Sequence, residues 1–211
     1  MSELLIRSLA GAVLILLALG AAFLGGYAFA VLVALASVLI FYEWRRLVAG
    51  WGFGWKVAGF VYALLPALGL LWIRDRAPQG LELLIWVFIV TWTTDIGAYF
   101  AGRAIGGPKL APRISPNKTI AGLVGGMISA ALAGYAWVGL TRLSALLVFL
   151  APLFALAAQA GDLFESGMKR RAGVKDSGNW LPGHGGALDR LDGLVVVATL
   201  TAAAQLAGLL R

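Results

Sequence analysis

Asp162, Asp189 and Asp192 stand in a thirty-one-residue stretch that also holds Glu165, Asp176, the basic run Lys169, Arg170 and Arg171, then Lys175, Arg190 and the single histidine, His184. In a chain with no cysteine, grouped carboxylates suit a hard cation. Mg²⁺ in particular is commonly held by one or two carboxylates together with substrate phosphates. Asp189 and Asp192 are three residues apart and so share a helical face. The plainer reading makes Asp189 a helix cap, lets Asp192 favour the helix dipole, and pairs Asp162 with Lys169 or Arg190.

A second polar stretch supplies the complementary charge. Arg103, Lys109, Arg113 and Lys118 in one loop, with Lys169, Arg170, Arg171, Lys175 and Arg190 in the other, can neutralise a triphosphate or a lipid phosphate. Taken singly, each is also an ordinary topology anchor. Ser115 and Pro116 mark a turn, and Lys118 and Thr119 open a helix whose free N–H groups favour anions. Asp95 lies about 12 Å before Arg103 at helical rise, and Asp162 about one turn before Ser166. The glycines of Pro182, Gly183, His184, Gly185 and Gly186 permit positive φ and close backbone approach beside a phosphate or metal. His184 is either structural or part of that site. The chain contains no GxxxxGK[ST] loop, so a Walker-type nucleotide site is not supported.

These residues must be positioned by a scaffold of unusual composition. The chain is 61% hydrophobic and only 13% charged, where soluble proteins carry about a quarter charged residues. The chain therefore reads as an all-α, polytopic integral membrane protein. Seven stretches reach the roughly 20 apolar residues that a spanning helix needs: 4–24, 27–48, 53–73, 81–102, 119–140, 143–165 and 190–210. The first also has the flanks of a signal peptide, but an anchor fits better because no polar secreted domain follows. An ionised carboxylate at the centre of such a helix costs at least ~2.5 to 3.5 kcal/mol unless paired, which is why the three aspartates call for a positive partner.

Alternating loops put thirteen of the 17 basic residues on one side and four, Arg74, Arg76, Arg142 and Arg211, on the other. The positive-inside rule makes the richer side cytoplasmic, with the N-terminus inside. The net charge of +7 lies between apolar spans and is directed at lipid headgroups or phosphorylated substrates, not nucleic acid. The fourth to seventh spans bring their polar tails to that one leaflet. The whole of 1–211 reads as a single membrane domain, with 1–80 as scaffold spans and 81–211 as the spans and loops that bear the motifs. Gly122, Gly125, Gly126, Ala130 and Gly134 are placed for close helix packing.

Ser166, Gly167, Met168, Lys169, Arg170, Lys175, Asp176, Gly178, Leu181, Pro182, His184, Gly185, Gly186, Asp189, Arg190 and Asp192 resemble the signature of the phosphatidate cytidylyltransferases, or CDP-diacylglycerol synthases. TDIGAYFAGR and KLAPRISPNKT, from Asp95 to Thr119, are similar to the same family, so the resemblance spans roughly residues 90 to 195. It implies cytidylyl transfer from CTP to phosphatidic acid, giving CDP-diacylglycerol and pyrophosphate. It also implies dependence on Mg²⁺ with a second cation left open, metal binding at the positions of Asp162 and Asp189 with Asp192 close by, and a homodimer as one assembly open to the chain.

The candidate catalytic side chains are then Asp162, Asp189, Asp192, Lys169, Arg170, Lys175, Asp176, His184 and Arg190. The candidate substrate contacts are Asp95, Arg103, Lys109, Arg113, Ser115, Lys118, Thr119, Ser166, Gly185 and Gly186. Asn117 and Ala121 stand where the family usually has a lysine and an acidic residue, and Ala187 is smaller than usual, so roles at Asn117 and Ala121 do not carry over. The chain is also short for the family, with the loss expected ahead of Asp95. A CTP-dependent kinase acting on a polyprenol-type lipid is the competing enzyme. A transporter, which would favour repeated halves and charges near the midplane, fits less well. The expected location is a bacterial cytoplasmic membrane.

Overall fold

The computed structural model describes residues 3–76, 78–178, 180 and 185–210, with side chains from residue 9 onward. Its described residues form seven helices: α1 (Glu3–Leu24), α2 (Gly26–Leu47), α3 (Phe53–Asp75), α4 (Gly80–Ala104), α5 (Ile120–Leu140), α6 (Leu146–Arg171) and α7 (Leu188–Leu206). Helices suit these apolar runs because lipid offers no partner to an open backbone group. Helices α2 to α6 are each long and apolar enough to cross a membrane, and α1 adds a shorter apolar stretch from Leu9 to Leu24. The charges of α7 are gathered in its first turns, at Asp189, Arg190 and Asp192.

The observed helices follow the seven expected spans within a few residues, and the exceptions are informative. The sixth helix does not stop near 165 but runs on to Arg171. Glu165 and Lys169 pair one turn apart, and three basic residues complement the C-terminal dipole of the last turn. Ser166, Lys169 and Arg170 therefore sit on a rigid helix instead of a loop. Between α4 and α5 the chain forms a small antiparallel hairpin, β1 (Lys109–Ala111) and β2 (Ser115–Thr119), pairing Lys109 with Thr119 and Ala111 with Ser115. The turn lies at 112–114, not at Ser115 and Pro116, and the two-stranded ribbon tolerates Pro116 because each strand has one free edge. Thr119 closes the hairpin and caps α5, its hydroxyl accepting the Gly122 N–H at 3.0 Å.

Helix α4 runs through the middle of the bundle. Its Leu84, Trp86, Val87 and Val90 are fully buried in one cluster with Ile73 of α3, Leu147, Ala151 and Ala155 of α6, and Val197 and Ala198 of α7. Helices α4 and α5 approach through glycines, as expected. A Cβ on Gly126 would lie 2.8 Å from the Thr94 carbonyl oxygen, and one on Gly122 2.9 Å from that of Ala98. Such contact lets two backbones pack where lipid supplies no hydrophobic drive. Outward-facing Leu16, Phe100, Leu132 and Phe149 are exposed, as a lipid-facing surface requires.

The turn between α2 and α3 is tied to the end of α6. Trp44 Nε1 donates to the Trp55 carbonyl at 2.7 Å, and the Arg171 guanidinium lies 4.3 Å from the centre of the Trp51 ring, a cation–π contact.

Candidate active site

The C-terminal ends of α4 and α6 and the N-terminal ends of α5 and α7 meet at one end of the bundle. Gly102 of α4 packs against the Thr119 hydroxyl. Arg170 of α6 donates from Nε to the Ile114 carbonyl at 3.2 Å, holding the hairpin against the helix. Within this convergence the charged side chains form two groups.

The first is closed. Lys169 Nζ donates to Asp189 Oδ1 at 2.6 Å and lies 2.9 Å from Glu165 Oε1. Asp189 Oδ2 accepts the N–H groups of Ser177 at 3.0 Å and Gly186 at 2.8 Å. Gly185 adopts φ +80°, and a Cβ there would stand 2.9 Å from Asp189 Oδ2, so glycine serves both the backbone conformation and the close approach. Both Asp189 oxygens are engaged, and the side chain is only 8% exposed. Asp189 does not cap α7 in the ordinary sense, because the cap position is Ala187; it collects N–H groups from the loop that precedes the helix.

The second group is open. Asp162 forms an ion pair with Lys118 and accepts from Ser166 Oγ at 3.2 Å. Asp192, whose Oδ1 accepts the Gly193 N–H at 2.7 Å, interacts electrostatically with Asp162, Asp95 and Lys118. Asp95 is accessible and interacts electrostatically with Asp162, Lys118 and Arg190. The Asp162 side chain is 30% exposed. Its ionic partner is therefore Lys118 from the hairpin, not Lys169, which turns to Glu165 and Asp189. Among the described residues, the three carboxylates Asp162, Asp192 and Asp95 face the two cations Lys118 and Arg190, a balance receptive to further positive charge.

The remaining expected residues spread around this centre. Arg103 donates to the Tyr99 hydroxyl one turn back at 3.0 Å, in an exposed position. Lys109 and Arg113 are exposed on the hairpin, and Lys175 and Asp176 are exposed beyond α6. Ser115 is a strand residue paired with Ala111. Leu181, Pro182, Gly183 and His184 lie outside the described residues. Among the described residues, no three Asp, Glu or His side chains converge tightly enough to hold a metal unaided. At the same end, a cavity of about 400 Å³ is bordered by Arg46, Trp51, Arg171, Asp176 and Ser177.

Two site residues were missed by sequence reasoning. Glu165 is almost fully buried beside Lys169, and its i, i+4 spacing to that lysine was the available signal. Glu43, placed among the scaffold spans, is fully buried and accepts from Ser177 Oγ, Ala187 N and Leu188 N at 2.8 to 2.9 Å. The signal at Glu43 was a lone carboxylate between apolar and aromatic neighbours, FYEW.

Comparison with known proteins gives this arrangement a lineage. Over 171 residues, 80% of its length, the chain is 47% identical to the phosphatidate cytidylyltransferases of Brucella suis and Brucella melitensis, covering 62% of each. It is 43% identical over 136 residues to the phosphatidate cytidylyltransferase of Staphylococcus saprophyticus, covering 63% of this chain and 52% of that protein. The chain thus spans less than two thirds of the length of these relatives. The profile of the cytidylyltransferase family matches residues 50–206, the segment that contributes both charged groups, and the chain accordingly belongs to the cytidylyltransferase family.

Proposed function

We propose that this chain transfers a cytidylyl group from CTP to phosphatidic acid, releasing pyrophosphate and forming CDP-diacylglycerol at the cytoplasmic leaflet of a bacterial inner membrane. One observation supports the reading: residues 50–206, the segment that matches the family profile, hold the carboxylates and cations that gather at one end of an apolar bundle. A phosphate oxygen of phosphatidic acid attacks the α-phosphorus of CTP; the new P–O bond forms as the bond to the β-phosphate bridging oxygen breaks, and pyrophosphate leaves with the electron pair. The attacking phosphate monoester is already anionic near neutral pH, so the chain needs no serine or cysteine nucleophile. Its task is to position two polyanions and neutralise their charge.

Lys118, Lys169 and Arg190 line the meeting point and share that charge, while the acyl chains remain in the bilayer beside the apolar outer surface. The all-oxygen donors of the open group fit Mg²⁺, which would be held by Asp162 and Asp192 together with substrate phosphates, with Asp189 as a third carboxylate close by. When bound, the ion supplies Lewis-acid stabilisation of the phosphoryl oxygens.

Membranes containing the chain are expected to convert CTP and phosphatidic acid into CDP-diacylglycerol and pyrophosphate, to lose that activity in chelator and to regain it with Mg²⁺. Product analysis decides against the rival lipid kinase, which would release CDP and phosphorylate an alcohol. Release of CDP without pyrophosphate would overturn the proposal.

A further inference from the structure

Glu43 lies in α2, outside residues 50–206 that the family profile covers, and the reaction proposed above does not call for it. Its carboxylate nevertheless joins both sides of the loop between α6 and α7. One oxygen accepts from Ser177 Oγ and Leu188 N, each at 2.8 Å, and the other accepts from Ala187 N at 2.9 Å. Ala187 is the N-cap of α7 and offers no side-chain acceptor, so the free N–H groups of that helix end need a partner from elsewhere. Those of Ala187 and Leu188 find it on another helix, 144 and 145 positions away in sequence.

The space around the carboxylate is fitted to it. A Cβ on Gly178 would lie 2.9 Å from the carboxyl carbon of Glu43, and one on Gly186 2.7 Å. An ionised carboxylate is tolerable in so enclosed a position because three donors surround it. Ser177 gives its hydroxyl to Glu43 and its N–H to Asp189, while Gly186 gives its N–H to Asp189 and packs on Glu43. The two carboxylates thus grip the same two points of the loop.

We propose that Glu43 is a positioning residue, capping α7 from α2 and fixing the placement of Asp189 and, through it, Lys169. The catalytic part of this inference rests on the function proposed above; the capping part does not. The full-length chain and its Glu43→Gln and Glu43→Ala variants test both. By hydrogen exchange, the amides of Ala187 and Leu188 are expected to exchange at least about tenfold faster in Glu43→Ala, with α5 unchanged. Equal exchange at those amides overturns the cap.

In steady-state turnover of CTP and phosphatidic acid, Glu43→Ala is expected to lower kcat about 100-fold, with KM for CTP within about threefold of wild type. Glu43→Gln keeps an acceptor oxygen and is expected to recover about tenfold of that loss. A kcat for Glu43→Ala within about twofold of wild type, or a rise in KM at unchanged kcat, overturns the positioning role. A wild type that turns over neither substrate removes the proposed function alone, and the exchange measurement still decides the cap. Should Glu43→Ala fail to accumulate, Glu43→Gln carries both measurements with the smaller expected change.

Discussion

The two charged groups at the end of the bundle are neighbours built on different principles. Around Asp189, every oxygen has a donor: Lys169 on one side and two backbone N–H groups on the other. Around Asp162, the partners among the described bonds are Lys118 from the hairpin and Ser166 one turn away, and the side chain remains 30% exposed against 8% for Asp189. A carboxylate saturated by backbone donors fixes the chain's shape. One held by movable side chains can exchange them for a ligand. Under the proposed function, Asp189 serves first to set geometry, and Asp162 is the carboxylate left to meet the substrate.

This contrast can be broken by substitution. The largest effect is expected for Asp189→Ala, which strands the Ser177 and Gly186 N–H groups and breaks a buried ion pair. Turnover should fall more than about 100-fold, and stability by about 3 to 5 kcal/mol, read from kinetics and from thermal or denaturant unfolding in detergent. Asp162→Asn should match that loss of turnover but lower stability by a smaller amount, about 1 to 2 kcal/mol, because its carboxylate is partly exposed although the Lys118 ammonium it faces is buried. If Asp162→Asn proves as destabilising as Asp189→Ala, the distinction between the two groups disappears. The smallest effect is expected for Arg103→Ala. Its guanidinium contacts only the exposed Tyr99 hydroxyl among the bonds described, so turnover should stay within about threefold and stability within about 0.5 kcal/mol.

Much of this design could be read in the residues alone, and the reason is physical. Apolar runs of spanning length have few alternatives to helix, so α1 to α7 followed from hydropathy. The glycines of α5 announced its close packing because small residues have little other use at that spacing. The acidic and basic residues of the Asp162 to Asp192 stretch marked the charged end of the bundle because lipid penalises charge. Partnership was less legible. Lys118 pairs with Asp162 only because the hairpin folds back over α6, and an Arg170 bond to a backbone carbonyl, which no sequence pattern encodes, helps hold it there. Glu43 looked like one more polar residue at a helix end because its three donors are contributed by chain 134 to 145 positions distant.

That distance also bears on biogenesis. A ribosome delivers Glu43 to the translocon long before Ser177 and Leu188 have been made, so the second helix must wait in the membrane with its acidic tip hydrated at the surface. Only when α7 is in place can the tip be drawn inward and shed its water. Maturation of the charged end thus waits on α7 and the loop before it, whose donors to Glu43 are made 134 to 145 residues later.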